Sequence, residues 1–147
     1  MRVFLGSDHA GFAMKEALKP YLERRGDEVT DVGADTEDSA DYPDFAEQVA
    51  RAVSEGRADR GVLICGSGIG MAIAANKVSG VRAAMVTDAE LAKMMRLHND
   101  ANVVTLGGRY ISQQLAEEIL DAFFDTEFEG GRHQARVDKI AALERHE

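Results

Sequence analysis

One cysteine, no apolar run longer than four or five residues and a shortage of basic side chains are the first features of this 147-residue chain. A lone cysteine has no intrachain partner, so neither a disulfide framework nor an oxidising compartment is implied, and a zinc knuckle cannot form. The four histidines, His9, His98, His133 and His146, show neither HExxH spacing nor a paired cysteine, so no metal is expected. Apolar runs this short exclude a membrane-spanning helix, and the opening MRVFLGSDHAG meets a serine and an aspartate too early for a secretory signal core. A cytosolic, cytoplasmic protein is expected. With 17 Lys and Arg against 26 Asp and Glu, the formal net charge is −9, which argues against a nucleic-acid or anionic-membrane surface because both need a positive field. An anionic ligand would need a local basic cluster.

What the chain does contain is the patterning of one α/β domain over residues 1–147. At that length folding buries roughly 68–70% of the surface the unfolded chain exposes, enough for a core without staples. Five β-branched or apolar runs read as strands: RVFLG at 2–6, EVTDVG at 28–33, RGVLIC at 60–65, VRAAMV at 81–86 and NVVTLG at 102–107. Between them apolar residues recur at helical spacing: Met14, Leu18, Tyr21 and Leu22; Ala46, Val49, Ala50 and Val53; Leu115, Ile119, Ala122 and Phe123. Pro43 suits a first helical turn, Thr87 with Glu90 reads as a capping box, and Ser112 can cap the next helix. Pro20 fits less well, since inside a helix it removes one backbone hydrogen bond and kinks the axis. The alternation implies right-handed crossovers and a mostly parallel sheet covered on both faces. Ligands of such sheets sit outside the carboxyl ends of the strands, which gives weight to Ser7-Asp8-His9, Cys65-Gly66-Ser67-Gly68, Thr87-Asp88 and Gly107-Gly108-Arg109.

The sharpest of these is ICGSGIGMAIAANK at 64–77, where a strand ends at Cys65 and three glycines, Gly66, Gly68 and Gly70, open a helix. Glycines let backbone N–H groups approach one point near a helix N-terminus, a geometry that binds anions and oxyanions. It is neither a dinucleotide fingerprint nor a P-loop, because Met71 follows Gly70 and Gly-Lys-Ser/Thr is missing. A thiol in this position has its thiolate stabilised by loop amides and the helix dipole, and can serve as a base. A cysteine at a strand end is, taken alone, more often a small buried hydrophobe; the glycines beside it tip the balance.

Three further segments stand out. Ser7-Asp8-His9-Ala10-Gly11 brings a carboxylate and an imidazole to the same sheet edge, although Asp and Ser are also ordinary turn residues. Arg96-Leu97-His98-Asn99-Asp100 ends the fourth helix, where a histidine also suits the helix dipole. Residues 117–129 carry six acids and no base before Gly130-Gly131 switches to RHQARVDKI. Arg132 and Arg136, four apart, would project from one helix face and could fork around a phosphate; surface arginines with no ligand are the alternative. Arg109 could add a further phosphate contact.

Together GSDHAG at 6–11, DYPDFA at 41–46, ICGSGIGMAIAANK at 64–77, RLHNDANVV at 96–104, LGGR at 106–109 and GGRHQARV at 130–137 resemble the ribose-5-phosphate isomerase B family. The resemblance implies a Rossmann-like three-layer α/β/α sandwich with a five-stranded parallel sheet and a C-terminal helix. It implies an aldose-ketose isomerase without metal or organic cofactor, acting on a phosphorylated sugar as a homodimer or tetramer with sites at the subunit interface. By the same resemblance Cys65 is the base, Ser67 and the amides of Gly66, Gly68, Ile69 and Gly70 hold enediolate oxygens, and His98 with Asp8 nearby opens the furanose ring. His9, Arg109, Arg132 and Arg136 are phosphate ligands, and Tyr42 and Asn99 touch the sugar. His98, Asn99 and Arg109 are then expected to face a partner's Cys65. Ribose 5-phosphate is the leading substrate, with allose 6-phosphate, galactose 6-phosphate or a tetrose phosphate as rivals. A receiver-like signalling module would want Asp where Cys65 stands and Lys after the fifth strand, and a thiol redox protein would want a resolving cysteine.

Overall fold

The computed structural model describes residues 1–144, so His146 lies outside the described residues. Its five strands, β1 (Arg2–Ser7), β2 (Glu28–Asp31), β3 (Arg60–Cys65), β4 (Ala83–Met85) and β5 (Val103–Gly107), form one parallel sheet. In space their order is β2-β1-β3-β5-β4. Helices α1 (Phe12–Arg24), α4 (Ala89–Asn99) and α5 (Gln113–Asp125) cover one face and α2 (Tyr42–Ser54) and α3 (Ile69–Ala75) the other. Helix α6 (Arg132–Leu143) packs against α4. This is the Rossmann-like α/β/α sandwich that the patterning and the resemblance imply.

The central strands are apolar throughout because both their faces are covered. Val62 and Ile64 join Val3, Leu5, Val104 and Leu106 in the core beneath α1, α4 and α5. Leu63 and Cys65, one residue out of phase, face α2 and α3 with Val103, Met71 and Ala46. Cys65 therefore points to the α3 side, toward the loop that follows it.

Boundaries shift where polar chemistry overrides propensity. Helix α4 is capped by Asp88, whose carboxylate accepts from Leu91 N–H at 2.8 Å, and not by Thr87. Ser112 caps α5 as expected, accepting from Leu115 N–H. Helix α1 runs through Pro20 to Arg24, with the proline on its exposed side. The second strand ends at Asp31, short of the expected Gly33, although Val32 N–H still donates to Leu5 O at 2.9 Å; the Asp31 carboxylate accepts from Gly33 N–H at 2.9 Å.

Asp31 also neutralises a lysine with no exposed surface. Lys15 Nζ, on α1, donates to Asp31 Oδ2 at 2.7 Å and to Glu16 Oε1 at 3.1 Å, and Lys19 Nζ bonds the same two carboxylates. A buried ammonium without such partners would be strongly unfavourable. Burial alone would raise the Asp31 carboxyl, but hydrogen bonds from Lys15, Lys19 and Gly33 overcome it and hold it below its ordinary value of 3.8. A depressed carboxyl contributes stability that is complete above its unfolded-state value and is lost as pH falls through the folded-state one. Urea melts of wild type and Asp31→Asn between about pH 6 and pH 3 should therefore show the stability gap narrowing toward acid. A gap independent of pH would mean that the carboxylate is not ion-paired.

Candidate active site

The chain passes from β1 outward to β2 and then back to β3 on the other side, so β1 and β3 lie side by side with connections leaving in opposite directions. A crevice opens at the carboxyl ends of such a pair. Here it is a cleft of about 510 Å³ lined by Asp8, Tyr42, Cys65, Gly66, Ser67, Ile69, Gly70, Ile73, Arg109 and Tyr110.

Cys65 is 5% exposed and forms the cleft floor. Gly68 N–H donates to Cys65 Sγ at 3.2 Å, and Gly68 reaches that position with a φ of 83°, in the left-handed region that glycine tolerates. Ile69 N–H donates to Ser67 Oγ at 3.2 Å. Two of the amides expected to converge on a ligand are thus directed to the loop's own sulfur and hydroxyl, which narrows the expected oxyanion donors of this loop. The Ser67 hydroxyl, accepting from the backbone, still has its proton to donate. Helix α3 has only seven residues, and the hydrogen bond made to the sulfur is the one from Gly68 N–H at 3.2 Å.

Asp8, nine-tenths buried, accepts from Gly11 N–H at 3.1 Å, fixing the loop after β1. His9 beside it is half-buried, with Nδ1 accepting from Ala40 N–H at 3.1 Å, so it ties down the segment leading to Tyr42. The Tyr42 ring packs on Gly70, where a Cβ would come within 2.6 Å of the ring. Glycine at 70 is what lets the phenol reach the cleft.

Arg109 departs from expectation. It stands in the cleft of its own chain, with Nη1 close enough over Gly66 that a Cβ there would lie 3.3 Å away. The reason is strand order: β5, not β4, neighbours β3, and the ladder pairs Cys65 with Gly107. Gly108 N–H then donates to Cys65 O at 2.8 Å and Arg109 N–H to Gly66 O at 3.1 Å. Tyr110 and Ile73 also line the cleft and were not singled out by sequence; Ile73 follows Ile69 by one helical turn, and Tyr110 follows the Gly-Gly-Arg run.

His98, Asn99, Arg132 and Arg136 do not line this cleft. Asp8 and His98, expected near one another, are therefore not partners across it within one chain. His98 lies in the last turn of α4 and stacks on His133 of α6, ring centroids 4.3 Å apart and planes 14° from parallel. Arg132 and Arg136 project from the first turns of α6, both exposed. Burial, then the charges of His98 and Arg132, push His133 below its ordinary value. Its Nε2 is buried without a hydrogen-bond partner among the described residues, and Glu129 Oε2 stands 4.0 Å away. His133 as a buried neighbour of His98 was missed by sequence, because the stacking depends on how α6 docks on α4.

His98, Glu129 and His133 place three ligand atoms within 4.8 Å of one another, the one group among the described residues that could hold a metal. A ring nitrogen binds a metal in its ring plane, and two nearly parallel stacked rings cannot both do so without turning. No helix of the described residues is long and apolar enough to cross a membrane.

Comparison with known proteins accords with the fold. The family model described as Ribose/Galactose Isomerase matches residues 3–140. Ribose-5-phosphate isomerase B of Escherichia coli is 45% identical over 143 residues, 97% of this chain and 96% of that protein. D-erythrulose-4-phosphate isomerase of Pectobacterium atrosepticum is 43% identical over 148 residues, covering 100% of this chain and 97% of the relative. The solved structure of Clostridium thermocellum ribose-5-phosphate isomerase B superposes with a TM-score of 0.98 at 48% identity, covering 99% of each chain. With the match running through nearly every element described above, the chain belongs to the ribose/galactose isomerase family and is an isomerase.

Proposed function

We propose that this enzyme interconverts ribose 5-phosphate and ribulose 5-phosphate through an enediolate, with Cys65 as the base. The observation that carries the reading is the Cys65 sulfur at the floor of the cleft, held by Gly68 N–H and flanked by Ser67, Asp8 and Arg109. The thiolate takes the proton from C2 of the open-chain aldose and returns it to C1, while the net proton shift between the two oxygens runs from O2 to O1. Ser67 and the remaining loop amides stabilise the enediolate oxygens. Arg109 and His9, with Arg132 and Arg136, hold the phosphate and so position the reacting carbons.

His98, Asn99, Arg132 and Arg136 act in the cleft of a second copy, where His98 opens the furanose ring and Asn99 contacts the sugar. Exposed apolar side chains at the cleft rim, Ile69, Ile73 and Tyr110, support a covering subunit there. The working enzyme is thus a homodimer, or a tetramer of such pairs. A free thiol at the reacting position suits a reducing, cytoplasmic compartment.

The competing substrate is a four-carbon sugar phosphate, the class named by the Pectobacterium relative. Measured across ribose 5-phosphate, erythrose 4-phosphate, allose 6-phosphate and galactose 6-phosphate, kcat/KM should be highest for ribose 5-phosphate by about tenfold or more. A maximum on any other sugar would reassign the substrate while leaving the chemistry at Cys65 in place.

A further inference from the structure

We infer that Arg82, remote from the Cys65 cleft, is a positioning residue for His98, and that it controls the opening of ring-form substrates more than the proton transfer itself. The inference rests on the reading of His98 as the ring-opening group. His98 and Asn99 form the last turn of α4, and the turn ends at Asp100, whose φ of 47° is the only positive value at a non-glycine among the described residues. A left-handed aspartate at a helix end is held there by its surroundings.

Arg82 supplies most of that hold. Its Nε donates to Asn99 O at 3.1 Å and to Asp100 O at 3.0 Å, and its Nη2 donates to Asp100 O at 2.8 Å and Asp100 Oδ2 at 3.3 Å. The other carboxylate oxygen, Asp100 Oδ1, accepts from Arg96 Nη1 at 2.9 Å, and the same nitrogen reaches Ala101 O at 2.7 Å. Asp100 is therefore gripped from both sides. Arg96 is almost wholly buried and serves the fold, bonding Thr126 O as well. Arg82 is only half-buried, starts the crossing into β4, and directs its guanidinium to the two carbonyls that terminate the His98 turn. A planar fork spans those acceptors together; a lysine ammonium cannot.

The chemistry separates this role from simple stabilisation. Ribose 5-phosphate is mostly a furanose and must be opened before C2 can be deprotonated. Erythrose 4-phosphate carries its phosphate on O4, the oxygen that would close a five-membered ring, so it enters already open. Displacing His98 therefore penalises ribose 5-phosphate selectively.

The test measures kcat/KM for both sugars in wild type, Arg82→Lys, Arg82→Ala and His98→Asn, with thermal melts of each. A second ring-free readout is the exchange of the C1 protons of ribulose 5-phosphate with deuterated solvent, since its phosphorylated O5 likewise prevents furanose formation. Arg82→Lys, the variant less disruptive to the fold, should lower the ratio of ribose 5-phosphate turnover to the ring-free readouts by about 10- to 100-fold, in the same direction as His98→Asn. Equal losses on every readout, or a wild-type ratio in Arg82→Lys beside a shifted one in His98→Asn, would overturn the clamp alone. An unshifted ratio in His98→Asn would sink ring opening by His98, and the clamp with it.

Discussion

Replacing Cys65 by alanine lowers kcat by about 10²- to 10⁴-fold, the range a positioned general base contributes, and leaves KM near the wild-type value. The expectation follows from geometry: among the described residues Sγ is the only sulfur lining the cleft, lies at its floor, and has Gly68 N–H as its one hydrogen-bond partner. That one bond is also why the alanine variant needs a companion. Cys65→Ser keeps an acceptor for Gly68 N–H and a similar volume but replaces a thiol by a far weaker acid. Inactivity in both variants, with melting temperatures near wild type, assigns the loss to proton transfer. An active serine enzyme would reduce Cys65 to packing against Met71 and Ala46.

Paired with His98→Asn, the alanine variant also tests the division of the site between subunits. Mixed Cys65→Ala and His98→Asn chains form hybrids in which one of the two sites has both intact residues. With random pairing in equal amounts, about a quarter of the wild-type activity returns from two crippled parents. No recovery after subunit exchange would place both residues in the service of one chain.

Gly11→Ala should be the most damaging single methyl in the molecule. A Cβ on Gly11 would overlap Ile64 O and lie 2.7 Å from Ile64 C, backbone atoms of the central strand immediately before Cys65. Neither partner is a flexible side-chain end, so the loop after β1 must lift away from β3. That movement breaks the Gly11 N–H bond to Asp8 and the Asp8 N–H bond to Ile64 O together. Overpacking of this kind costs about 3 kcal/mol, which lowers Tm by about 10 °C in a chain of this size. It should also lower kcat/KM at temperatures where the protein stays folded, because Asp8 and His9 are carried on the displaced loop. A Gly11→Ala enzyme with wild-type Tm would show that the crossing has slack that its close contacts deny.

What could be read directly from residues was what is local in the chain. The strand that ends at Cys65, the glycines after it, the Ser112 cap and the apolar faces of α2 and α5 all depend on neighbours a few residues away. Asp88 displaced Thr87 as the α4 cap because the two adjacent residues offer similar oxygens, and backbone geometry decides between them. Arg109 could not be placed because its location depends on β5 inserting between β3 and β4, an order that no local pattern encodes. Arg82 escaped notice for a related reason: its acceptors, Asn99 and Asp100, come seventeen and eighteen residues later and are reached only after α4 has folded back. His133 stands in a basic run of the sequence, and only the docking of α6 buries it and stacks it on His98.

The cleft built around Cys65 and the patch built around His98 have no residue in common. Under the proposed division of labour, that separation makes the two halves independently heritable. After a gene duplication, one copy could lose its thiol and the other its histidine, and the mixed pair would still contain one complete site. Each copy would then be protected from loss by the other, and selection would hold two half-enzymes where one ancestor had sufficed.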